Sequence, residues 1–125
     1  MPTLIPNVGL QRIINALNGG SHTAPTYIGW GTGTTAPVAA NTGLQTPAAE
    51  ARTNGTKSVV TTTIANDTYQ VVGTITSLST QSISEAALFD AASAGNMYLR
   101  GTFTAIPLEA DDAIAFTVQI VNSAA

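Results

Sequence analysis

The sequence predicts an all-β chain, an antiparallel β-sandwich (jelly-roll or Ig-like) with one short N-terminal helix. Three observations carry the prediction. Thr and Ala supply about 20 residues each, and Thr with Val and Ile fills short runs broken by Gly, Asn and Asp, as strands and turns do. The C-terminal half alternates at the two-residue period of a half-buried strand, with Ile114, Phe116, Val118 and Ile120 set against Ala115, Thr117, Gln119 and Val121. A length of 125 residues gives one domain, able to bury about two thirds of the surface its unfolded chain exposes.

The elements follow in order. Residues 1–6 set Leu4 and Ile5 between Pro2 and Pro6, which suits an extended arm reaching outward more than a helix. Asn7 is a good N-cap, and Val8, Leu10, Ile13, Ile14 and Leu17 fall at helical spacing before Asn18-Gly19-Gly20. A helix over 8–17 is expected, covering one end or open edge of the sandwich, with direct partner binding as the alternative. Residues 1–26 thus form an arm and helix, and 27–125 the sandwich domain.

Tyr27 to Gly33 reads as a strand whose Tyr27, Gly29, Gly31 and Gly33 share one face while Ile28 and Trp30 share the other. Glycines on one face admit a close neighbour. Residues 34–56 are rich in Ala, Thr, Pro and Asn without periodicity and form a long excursion, with room for one further strand. Residues 57–65 and 68–77 flank Asn66-Asp67 as a hairpin with a tight turn. Strands over 83–90, 97–106 and 113–121 complete a set of six.

Only 11 residues are charged, 9% of the chain, where a soluble domain carries about 25%. On a folded surface of roughly 6,000 Å² that is sparse. Neutral polar residues, or a partner, must cover the rest. With a pI near 4.6 and only Arg12, Arg52, Lys57 and Arg100 as fixed cations, no basic stripe for nucleic acid is available. Neither a long apolar run nor a basic start before an apolar stretch occurs, so a soluble chain made in the cytoplasm, without membrane partners, is expected. There is no Cys, which removes disulfides and thiolate chemistry.

Catalytic constellations are thin. His22 is the sole histidine and sits in a loop of small residues, without the strand-elbow setting of a nucleophile. Gly29-x-Gly31-x-Gly33 lacks the Lys-Ser/Thr and the helix of a phosphate loop. Glu109, Asp111 and Asp112 cluster as a solvated turn does, short of the oxygen ligands that calcium requires. The expectation is a non-enzymatic protein with no cofactor and no metal. Trp30, with Tyr27 or Tyr98, would serve a carbohydrate-binding module if its ring lay exposed. Glu50, Arg52, Glu85 and Arg100 lie inside or beside apolar segments, where an unpaired ion is costly, and are structural ion-pair candidates. Glu85 and Arg100 are expected to pair, either one replaced by Ala destabilising more than both together.

Four segments carry a resemblance. They are Tyr27 to Pro37; Thr42-Gly43-Leu44-Gln45 followed by Glu50 and Arg52; Ile83-Ser84-Glu85-Ala86-Ala87-Leu88-Phe89; and Leu99-Arg100-Gly101-Thr102-Phe103 with Ile106 and the 112–118 strand. In this order they resemble small virion structural proteins of tailed bacteriophages. The resemblance implies a β-sandwich that decorates the capsid as a cement protein, or a related piece of the tail or fibres. It implies as partners the major capsid protein and copies of the chain itself, as a dimer or trimer, and a place on the capsid surface. In that setting Thr3, Leu4 and Ile5 of the arm, and Trp30, are the candidate partner-binding residues. Pro47-Ala48-Ala49 is an insertion relative to the shared pattern, and the first 26 residues fall outside it.

Overall fold

The computed structural model describes residues 2–123, and Met1 and residues 124–125 lie outside the described part. Its elements run β1 (Thr3–Leu4), α1 (Asn7–Leu17), β2 (Tyr27–Gly31), β3 (Thr53–Asn54), β4 (Thr56–Val60), β5 (Thr68–Thr76), β6 (Gln81–Phe89), β7 (Met97–Leu108) and β8 (Ala113–Val121). They form two antiparallel sheets, one of five strands in the order β1-β7-β6-β2-β3 and one of three in the order β4-β5-β8. The chain is an all-β sandwich with a single short helix.

The period-two pattern explains the three-stranded sheet. Along β8 the odd positions are exposed and the even ones, Ile114 to Ile120, are half-buried. β5 and β8 pair without interruption from Thr68 opposite Val121 to Thr76 opposite Ala113. The sheets meet over Ile28, Trp30, Val71, Ile75, Ile83, Leu88, Tyr98 and Leu108. On the other face of the five-stranded sheet, Ala87, Phe89 and Met97 pack with Val8, Tyr27 and Leu44.

Sheet overlap is offset. A Cβ at Gly73 of β5 would lie 2.9 Å from Thr53 of β3 and 3.3 Å from Ile28 of β2. Phe116 of β8 meets the Trp30 ring edge-on at 6.3 Å. With β5 above β2 and β3, and β8 next to it, the middle of β7, together with β1, projects past β8, while Tyr98 and Leu108 near the ends of β7 join the core.

Several sequence expectations change. The N-terminal arm does not reach outward, because Thr3 and Leu4 pair with Gly101 and Arg100 of β7 and Thr102 N–H donates to Pro2 O. An extended segment with free backbone groups satisfies them on the nearest open edge. The helix begins at Asn7 with Pro6 in the cap position and no side-chain cap, so Asn7 is not the N-cap. Pro6 has no N–H to satisfy and its fixed φ suits a helix start. Gly9 lies flush on Tyr98 of β7, where a Cβ would come 2.8 Å from the Tyr98 carbonyl oxygen.

The 57–77 hairpin forms, but its turn is not the dipeptide Asn66-Asp67. Val60 opposes Thr68, leaving a loop over 61–67. The Asp67 carboxylate organises it by accepting the N–H groups of Thr62, Thr63 and Ile64, and Asn66 takes a φ of 62°. A side chain bonding nearby amides competes with the ladder and ends the strands early. Beyond the six expected strands the chain adds β1 and β3, the latter inside the excursion.

Candidate functional site

The glycine face of β2 receives the excursion. Thr32 N–H donates to Thr46 O at 2.9 Å and Ala48 N–H to Trp30 O at 3.1 Å, so the 45–48 stretch runs along the strand. A Cβ at Gly31 would collide with the Thr46 carbonyl and come 2.7 Å from Glu85 Oε2. The close approach that the glycines suggested is made by the chain's own excursion.

Charge holds it there. Glu85 on β6 is 0% exposed and Arg100 on β7 is 2% exposed, and they form an ion pair at 3.0 Å. Glu85 Oε1 accepts Arg100 Nε and Nη2 and the Gln45 amide, while Oε2 accepts the Gly33 and Thr46 amides. Arg100 also donates Nη2 to Thr35 O and Nη1 to Asn41 Oδ1. Burial alone would raise the Glu85 pKa, but the amides of Thr46 and Gln45, Arg100 and the Gly33 amide outweigh it and hold it below its ordinary value. Every member is satisfied, the condition under which a buried ion pair is tolerated.

Among the described residues Glu50 and Arg52 form no ion pair with each other or with another charged group; each bonds neutral partners. Glu50 accepts Trp30 Nε1 at 2.9 Å, the Leu78 amide and both contacts of Gln81 Nε2. Burial pushes its pKa up, yet those donors bring it down to about 2. Arg52 lies 3.4 Å above the Phe89 ring and donates to Ala91 O and Ala94 O of the turn before β7. Burial draws its pKa below the ordinary value, against the opposing charge of Asp90. Glu50 and Arg52 are both half-buried around the exposed Ala51, and the groups they reach are carbonyls, a backbone amide, the Gln81 side-chain amide, Trp30 and the Phe89 ring rather than an opposite charge. All four candidates therefore anchor residues 33–52 to the sandwich.

Trp30 is 2% exposed and Tyr98 is buried, so neither ring presents a face to a sugar or a protein, and Trp30 is removed from the partner-binding set. Its position opposite Phe116 on the inner face, with Glu50 on its N–H, leaves nothing free. Thr3 and Leu4 remain exposed at the sheet edge and Ile5 is half-buried beside Gly9. His22 is exposed, its Nδ1 within 3.0 Å of Gly20 O. Asp112 Oδ2 accepts the Glu109 amide in the β7–β8 turn, and among the described residues no three metal-ligating side chains converge.

Two surface features remain open to a partner. α1 turns Val8, Gly9 and Ile13 inward but leaves Leu10, Ile14 and Leu17 exposed, the last two by 63% and 79%. Where β7 and β1 project past β8, a cleft of about 810 Å³ opens, lined by Leu99, Phe103, Ile106, Phe116, Val118 and ten further residues with Thr34, none of them charged. The sequence shows the alternation of β8 and its lack of charge; that β8 lies at an edge depends on strand order, which it does not show.

Of the 11 charged residues, seven are buried or half-buried and only Lys57, Glu109, Asp111 and Asp112 are exposed. On a surface of 6885 Å², four exposed charges leave wide stretches that are neutral. No known protein family, curated protein or solved structure matches the chain.

Proposed function

We propose that this chain is a non-enzymatic structural protein of a tailed-bacteriophage virion, a capsid decoration (cement) protein. It binds the outer surface of the assembled capsid and holds neighbouring major-capsid subunits together by added interface, with no chemical step. The supporting observation is the scarcity of exposed charge: of eleven charged residues two are buried, five are half-buried and four are exposed, beside an apolar cleft and an apolar helix ridge. Such surfaces lose little hydration free energy when covered. The resemblance of residues 27–121 to virion proteins points the same way. Burial of Trp30 and Tyr98 argues against the carbohydrate-binding alternative.

Mass spectrometry and cryo-imaging of purified particles test the proposal. A cement protein is expected at hundreds of copies on the capsid, and its removal should lower the temperature at which the shell opens. A few copies at the tail would replace this reading with a tail or fibre role, and absence from particles would overturn both.

A further inference from the structure

The four sheet edges are unequal. β1 and β3 have two residues each, and β4 has five and carries Lys57; shortness and an edge lysine both discourage another strand from pairing. β8 has nine residues, no charge, no proline and no bulge. Its hydrogen-bonding direction follows from the ladder. Ser77 N–H donates to Asp112 O and Asn122 N–H to Asp67 O, continuing the β5–β8 register at even positions of the β8 side. In an antiparallel pair, bonded positions alternate. Ala115, Thr117 and Gln119 therefore turn both N–H and C=O toward the open side.

That open side is the cleft. With strands about 4.8 Å apart and sheets about 10 Å apart, its volume equals about 17 Å of one more strand, or roughly five residues. A strand placed there would extend the three-stranded sheet to four, bond Ala115, Thr117 and Gln119, and cover Leu99 and Phe103 of β7. A second copy joined β8 to β8 would bring two projecting β7–β1 edges into the same space. Among the described residues every strand of five or more is already paired, and the excursion is anchored elsewhere. The uncharged lining disfavours a charged occupant.

We infer that β8 and the cleft form a strand-acceptor site for an extended, uncharged segment of another protein with alternate residues apolar. On the reading above, on which the partner's identity rests, that segment belongs to the major capsid protein. Backbone hydrogen bonds hold it, and the apolar lining selects every second side chain.

Thr117→Pro tests this. It removes one outward N–H while the even positions keep their bonds to β5, and Thr117→Val keeps the N–H as a control; Gln119→Pro replaces it should Thr117→Pro unfold. The first probe is the end-blocked peptide Thr-Val-Thr-Val-Thr-Val-Thr, followed by amide NMR on the intact protein. Shifts at Ala115, Thr117, Gln119, Leu99 and Phe103 are expected, with affinity at least tenfold weaker in Thr117→Pro and unchanged in Thr117→Val. No shift at these residues, equal affinity in Thr117→Pro, or a β8-mediated dimer of the protein alone would overturn the inference. The second arm measures occupancy on capsids, where Thr117→Pro should fall at least tenfold. Full occupancy by Thr117→Pro overturns the capsid strand while leaving decoration intact. Peptide binding without capsid binding by the wild type overturns the capsid source and supports the acceptor site.

Discussion

Glu85→Gln is nearly isosteric, yet it is expected to be one of the most damaging single changes in the protein. Five donors converge on the two Glu85 oxygens, three on Oε1 and two on Oε2. Whichever way a Gln amide is flipped, its NH2 faces at least two of them, and the buried Arg100 loses its counter-charge. Breaking a buried ion pair by removing one partner costs about 3–5 kcal/mol. At about 2.1 cal/mol/K per residue, 4 kcal/mol is a fall of about 15 °C in Tm for a domain of this length. Urea unfolding with Trp30 fluorescence, beside calorimetry, gives both numbers. The companion cycle has an expected order: Glu85→Ala most destabilising, the double variant with Arg100→Ala intermediate, and Arg100→Ala alone mildest. This departs from the sequence expectation that the double variant would be the mildest, because the amides of Gly33, Gln45 and Thr46 lose their acceptor whenever Glu85 is absent. A Glu85→Gln protein within about 1 kcal/mol of wild type, or single changes that simply add, would refute the reasoning.

Three further outcomes follow from the same geometry. Gly31→Ala, whose Cβ would meet the Thr46 carbonyl and Glu85, should cost about 1–3 kcal/mol and raise hydrogen exchange at Gln45, Thr46 and Ala48; unchanged exchange there would contradict the packing. Glu50 and Glu85 have pKa values depressed in the folded state, Glu50 from 4.5 to about 2. Their contribution is therefore complete above the unfolded value and lost as pH falls through the folded one. Tm should decline between pH 4.5 and 2, less steeply in Glu50→Gln, and a pH-independent Tm in that window would count against it. Deleting residues 1–6 removes β1 from β7 and the buried Pro6 from the helix start, so it should lower Tm by several degrees; an unshifted Tm would mean that the arm is not docked in solution.

What the sequence revealed depended on how local the cause was. The faces of β8 follow from alternation inside nine residues, and the glycine face of β2 from five, so both were legible. The docking of β1 was not, because Thr3 finds its partner at Gly101 and nothing near Thr3 says so. The placement of Glu50 and Arg52 beside apolar segments suggested ion pairs, but their actual partners are amides, carbonyls, a tryptophan N–H and the Phe89 ring, none of which has a charge signature in the chain. The turn at Asn66-Asp67 misled for a related reason: Asp67 bonds backward to three amides and so terminates the strands sooner than the dipeptide suggests. The cleft and the bare edge belong to strand order and to the unequal widths of the sheets, which arise only when all the strands are assembled.

The anchors of the excursion also bear on time. Glu85 binds amides 39, 40 and 52 residues away, and Arg100 binds groups 59 and 65 residues away. These contacts need β2, β6 and β7 side by side, because the excursion meets Glu85 and Arg100 across all three strands. The Glu85–Arg100 knot is therefore expected to close late in folding. Changes to it should speed unfolding while leaving the refolding rate nearly unaltered, so that the lifetime of the folded molecule, more than its rate of formation, is set by one buried pair.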